Sequence, residues 1–282
     1  MNLLSFVIDC VVAWSDLFLL AVAVSLLYYT NHVLHFGLLA TFALAPYLMW
    51  SLGGVSFAFV GLLTAAVAGL LFASIDFRLQ QRGAGGASLM IASIALWNIT
   101  FNVLGLAAGH DAHVLPGLDA SAHGSSLMSR YEVAAVVVSV AGAVIVATAS
   151  KFSPTVLQVR AIAANYDLSV LCGADAPRLV RRGYIAAACC AGTAGMFEAS
   201  KSALTPTMGT STFFVGVVAA VLAGELDGRR LLVATGSLAV VRQAVLAFLP
   251  GTWSGTVTFA LLLAALLLRV RQDRLVSGGP RA

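Results

Sequence analysis

Apolar residues run along this chain in long blocks separated by short polar stretches: 6–29, 34–50, 55–75, 88–107, 133–150, 183–200, 210–226, 231–249 and 257–268. A helix needs about 20 apolar residues to cross roughly 30 Å of hydrocarbon, and it satisfies its own backbone where no water can. The pattern predicts an all-α, polytopic transmembrane helical bundle of eight or nine spans, a single domain over residues 1–282. The second block is short for a crossing and reads as broken or re-entrant.

One stretch breaks the pattern. Residues 151–182 are polar and basic, and from Ser153 they carry the punctuation of two short helices outside the membrane. Ser153 suits an N-cap, and Pro154 suits a first turn, where its missing N–H is no loss. Asp167 is placed to cap the second helix and Gly173 to close it. A multi-spanning protein that keeps one structured basic loop on one side offers it to a soluble partner.

Composition agrees with the blocks. The chain is 60% hydrophobic and 10% charged, with a mean hydropathy of +0.95, more than a soluble core absorbs. The first block lacks a positive n-region and carries Asp9 and Asp16, so we expect it to stay in the mature protein. Cys10, Cys172, Cys189 and Cys190 fall at no disulfide or metal spacing. Arg78 and Arg82, the 151–182 stretch, Arg229 and Arg230, and the tail from Arg269 lie in alternate loops, which puts them and the C-terminus in the cytoplasm. Arg130 and Lys201 then face out. The net charge of +4 follows from this bias and comes without the interleaved aromatics of a nucleic-acid groove.

Ionisable groups inside the blocks carry the candidate chemistry, since each costs about 2.5–3.5 kcal/mol at a helix centre unless paired or hydrated. Arg242 lies well inside its block, with Glu198 as an expected ion-pair partner and a substrate carboxylate as the alternative. Asp9 and Asp16 are seven residues apart, on one helix face. Asn31, His32 and His35 sit at the first junction, where unwound backbone and polar groups line a pathway or simply pack. Tyr47, Asn98 and Asn102 complete the pathway candidates. The outer loop carries His110, Asp111, His113, Asp119 and His123, which fit no tight metal template and read as a solvated loop. A weak repeat relates 59–71 to 214–226, each preceded by an Ala-Leu-x-Pro tetrapeptide.

The run from Arg160 to Asn165, Arg-Ala-Ile-Ala-Ala-Asn, followed by Gly173, resembles the cytoplasmic loop of branched-chain amino acid type ABC importer permeases, a group that includes urea and amide transporters. Leu34-His35-Phe36-Gly37 is similar to that family's Asn-Phe-Ala-His-Gly. The run from Met90 to Ala95 with Asn102 and Gly109 is similar to its fourth helix, and Pro206 with Gly209 to its Pro-x-x-Gly. The chain departs from the family at 223–228, where Ala-Gly-Glu-Leu-Asp-Gly replaces Gly-Gly-x-Gly-Ser, and in its tail.

The resemblance implies a permease subunit for amino acids or related small polar compounds in a bacterial inner membrane, with no covalent chemistry of its own. Residues 153–174 would form coupling helices on a cytoplasmic ATPase, through Arg160, Ala161, Ala164, Asn165, Asp167 and Gly173. The implied partners are a second permease, paralogue or self, two ATP-binding subunits, an extracytoplasmic substrate-binding protein and membrane lipid. No cofactor is expected on this chain, which has no Gly-x-x-x-x-Gly-Lys-Ser/Thr loop; ATP and magnesium would sit on the partners. The rival is a stand-alone secondary transporter or channel coupled to an ion gradient.

Overall fold

The computed structural model describes residues 3–31, 33–109, 111–115, 130–224 and 227–248, with single positions at 256, 260, 264 and 267. The described residues are helical: α1 (Leu3–Asn31), α2 (Gly37–Ser51), a 3-10 turn (Val55–Phe57), α3 (Ala58–Gln81), α4 (Gly86–Ala108), α5 (Arg130–Phe152), α6 (Pro154–Ala164), α7 (Tyr166–Leu171), α8 (Ala176–Lys201), α9 (Thr210–Ala223) and α10 (Gly228–Phe248).

Five helices, within α1, α3, α4, α5 and α10, are both long and apolar enough to cross a membrane. This is a multi-pass helical bundle, with fewer full spans among the described residues than the eight or nine expected. At 15 and 14 residues, α2 and α9 reach only about 22 and 21 Å at 1.5 Å per residue, short of the hydrocarbon thickness. The short second block was legible; the shortness of α9 was not, because Gly224 ends it in a left-handed turn with φ of 73°. α8, at 26 residues, is long enough, but its charged ends lower its apolarity. The expected last span, 257–268, lies outside the described residues apart from single positions.

α8 is the pillar of the bundle, packed against α1, α2 and α3. Its inner face is a stripe of small buried residues: Ala187, Ala188, Ala191, Gly192, Ala194, Gly195 and Ala199. Between membrane helices the hydrophobic effect gives little, so close van der Waals approach supplies the adhesion. At Gly195 the approach leaves no room for a side chain, since an added Cβ would fall 1.9 Å from the carbonyl oxygen of Phe42. That carbonyl lacks its usual i+4 donor because Pro46 sits inside α2. Gly209, with φ of 79°, starts α9 against the ring of the same Phe42. A second cluster joins α1 to α5, α9 and α10 through Leu17, Phe18, Val215, Val218, Leu231 and Leu238.

α6 and α7 are the two short helices expected between α5 and α8. Pro154 occupies the first turn of α6, and Gly173, at φ of 89°, closes α7. Asp167 is not the cap of α7: it lies inside the helix, and Asn165 caps instead, accepting from the Leu168 N–H at 3.0 Å. Val159 and Ile162 anchor α6 on Ala176 and Leu179 at the start of α8. The second half of the weak repeat finds a different setting from the first, because Pro46 lies inside a helix and Pro206 in the non-helical connector 202–209.

Candidate functional site: a buried carboxylate at a cavity floor

One end of the bundle gathers the last turn of α1, the end of α3, the α6–α7 junction and the start of α8 around a cavity of about 540 Å³. Asn31, Asp76, Arg78, Asn165, Arg181 and Tyr184 are among its lining residues. Gly228 packs on Val146 and Ala147, so Arg229 and Arg230 stand toward the same basic end.

The cavity floor is a chain of polar groups from three helices and one junction. The Asn31 amide donates to the Tyr184 hydroxyl at 2.8 Å, and Tyr184 donates to Asp76 Oδ2 at 2.5 Å. His35 Nε2 lies 3.1 Å from the same oxygen, within ion-pair range, although neither ring nitrogen is aligned for a hydrogen bond with a described group. Asp76 and His35 are 2% and 3% exposed. The His35 ring sits between Phe72 and Tyr184, at centroid distances of 5.6 and 5.5 Å. Gly37 is what makes room for it: a Cβ there would fall 2.5 Å from the imidazole.

Residues 33–36 are not helical, which frees backbone groups inside the bundle. Ser93 of α4 answers one of them, accepting from the Phe36 N–H at 3.1 Å while donating to Met90. The junction is thus a fixed break that points His35 at Asp76.

No protein-family profile, curated protein or solved structure matches this chain. Its site has to be read from its own geometry.

Of the expected pathway residues, Asn31 lines the cavity and binds Tyr184, His35 lies behind it against Asp76, and His32 lies outside the described residues. Tyr47 is buried near Trp50, with no partner for its hydroxyl among the described residues. Asn98 and Asn102 are exposed on α4 and donate back to Ile94 and Asn98 of their own helix, away from the cavity lining. Arg242 and Glu198 form no ion pair; Arg242 reaches the Thr212 hydroxyl at 3.5 Å. Lys201 does not face out freely, because its ammonium takes the Asp16 carboxylate at 2.5 Å and the Val12 carbonyl at 3.2 Å. Asp16 is buried while Asp9 is exposed, so the two do not share an environment.

The α6–α7 candidates fall on one unit of two short helices. Ala161, Ala164, Asn165 and Gly173 are exposed and Arg160 is half-buried. Ala164 and Asn165 also line the cavity. Of the outer loop, His113 is not simply solvated: it stacks on Trp50 at 4.3 Å, donates from Nε2 to the Ala108 carbonyl at 2.8 Å, and pairs its backbone with Leu204. Among the described residues no three His, Cys, Asp or Glu groups converge as metal ligands.

Sequence reasoning missed Asp76 and Tyr184. The available signal was a charge at the edge of a helical block, with a tyrosine one residue inside another.

Proposed function

We propose that this chain is the membrane-spanning permease subunit of an ABC importer for amino acids or related small polar compounds, in a bacterial inner membrane with the basic end cytoplasmic. The observation that carries the reading is the α6–α7 junction, which forms a wall of the cavity while its outer side offers apolar groups to a partner. Leu157, Leu168, Val170 and Leu171 are all exposed there, Leu171 at 83%. Bare apolar side chains beside basic ones on an extramembrane helix pair suit docking into a groove on a soluble protein. A partner that pushes α6–α7 would reshape the cavity directly.

In this reading two permeases enclose the path, two ATPases grip α6–α7 of each, and an external binding protein delivers the solute. The path opens outward when the ATPases close and inward after hydrolysis. Arg160, Ala161, Ala164, Asn165, Asp167 and Gly173 belong to the coupling unit.

The buried Asp76 and Asp16 favour a second reading, a transporter working alone on an ion gradient, since intramembrane carboxylates serve as ion and proton sites. Purification in mild detergent separates the two. ATPase subunits that co-purify, with solute-stimulated hydrolysis, support the importer. A lone chain that transports in vesicles under an ion gradient supports the rival.

A further inference from the structure

Asp76 is held at one oxygen and bare at the other. Oδ2 receives Tyr184 and faces His35, whereas Oδ1 has no partner among the described residues. A carboxylate oxygen is an acceptor only, and an acceptor left unmet at such a depth is costly. Its neighbours do not relieve it. Asn31 directs its described amide bond to Tyr184, and Thr30 spends its hydroxyl hydrogen on Leu26 and Leu27, so neither donates to Oδ1. Thr30, Asn31 and Asp76 all belong to the cavity wall. The floor thus holds an unmet carboxylate oxygen, and the cationic groups of the wall, Arg78 and Arg181, are exposed.

We propose that this cavity binds a small solute through a protonated amine, which Asp76 receives. An ammonium brings three donors and a positive charge, which suit an unmet carboxylate oxygen. The exposed arginines oppose a bare cation, so the amine travels with a neutral polar or anionic remainder that tolerates them. Tyr184 and His35 act as positioning residues that fix the carboxylate. The proposal rests on the importer reading only for what the solute does next; binding itself is a property of this chain.

The test uses the full-length protein in lipid nanodiscs, with whatever subunits co-purify. Its unfolding midpoint is followed against methylammonium, glycine, acetate and potassium, with tetramethylammonium chloride holding ionic strength constant, since a ligand of the folded state stabilises it by RT ln(1 + [L]/Kd). Methylammonium and glycine should raise the midpoint along that logarithmic curve, and acetate and potassium should not. Asp76→Asn should weaken the apparent Kd for methylammonium at least about tenfold, equivalent to about 1.4 kcal/mol. Ser74→Trp, at an exposed position of the cavity wall, should abolish the response without touching the buried cluster, and it decides the matter if Asp76→Asn does not fold.

The proposal is overturned if neither amine shifts the midpoint, if acetate or potassium shifts it equally, or if a folded Asp76→Asn keeps the parent Kd. Co-purifying ATPases with no amine binding would sink the site and leave the importer standing; amine binding by a chain without ATPases would do the reverse.

Discussion

Gly195 of α8 lies directly against the carbonyl oxygen of Phe42, the one carbonyl in α2 that Pro46 deprives of its helical donor. The bare Cα of a glycine approaches such an oxygen closely enough for a weak C–H contact, which no other residue permits. Gly195→Ala should force α2 and α8 apart and lower stability by about 1–3 kcal/mol, as overpacking does in a filled core. Thermal unfolding in detergent would check it, and a midpoint equal to the parent's would show that α2 yields freely. Gly183→Ala, whose Cβ meets only Leu26 at 3.9 Å, is the control.

Lys201 and Asp16 join the end of α8 to α1, with side chains 19% and 4% exposed. Removing one partner of a covered pair strands the other, so Lys201→Met should cost about 3–5 kcal/mol. The double variant Lys201→Met with Asp16→Leu should recover most of that loss, because no charge is then uncompensated. If the double variant is as unstable as the single one, the pair is not what holds these helices together.

Charge and apolar contact at the α6–α7 unit can be separated from folding. Arg160→Glu and Leu171→Asp should each leave the chain in the membrane at parental levels and abolish solute-stimulated ATP hydrolysis by the complex. Leu171 is exposed, so its replacement removes no internal packing. Stimulation retained in both variants would remove α6–α7 from the partner interface.

Orientation has a test in native chemistry. Cys172 is exposed at the end of α7, and Asp111 is exposed beyond α4. With Cys10, Cys189 and Cys190 replaced, an impermeant maleimide should label Cys172 only after lysis. In a Cys172→Ser background, Asp111→Cys should be labelled in intact cells. The opposite pattern reverses the membrane orientation.

What the sequence made legible were features written in neighbouring residues: the apolar blocks, the short second one, and the helix pair started by Pro154 and stopped by Gly173. What it hid were partnerships between distant helices. The apolar pattern ends the third block at Ile75, one residue before Asp76, because Asp76, Arg78, Gln80, Gln81 and Arg82 look like a loop. The helix runs on to Gln81 and α8 covers Asp76 with Tyr184, 108 residues away. Lys201 stood one residue past the end of its block in the same way. A hydropathy pattern stops at the first charge; whether that charge is buried depends on what packs over it. Charge alone pairs Arg242 with Glu198, yet α9 packs beside α10 and puts the Thr212 hydroxyl 3.5 Å from the guanidinium instead.

His113 and Leu204 exchange two backbone hydrogen bonds, at 3.0 and 2.8 Å, and Trp50 lies flat on the imidazole. Those few contacts tie the segment after α4, the connector into α9 and the end of α2 into one knot, at the end of the bundle remote from the basic cavity. The three segments cannot part by moving any one of them alone; parting them means surrendering two backbone pairings together. Such a clasp responds as a threshold and not as a spring: the segments stay joined until both pairings break, and then separate at once.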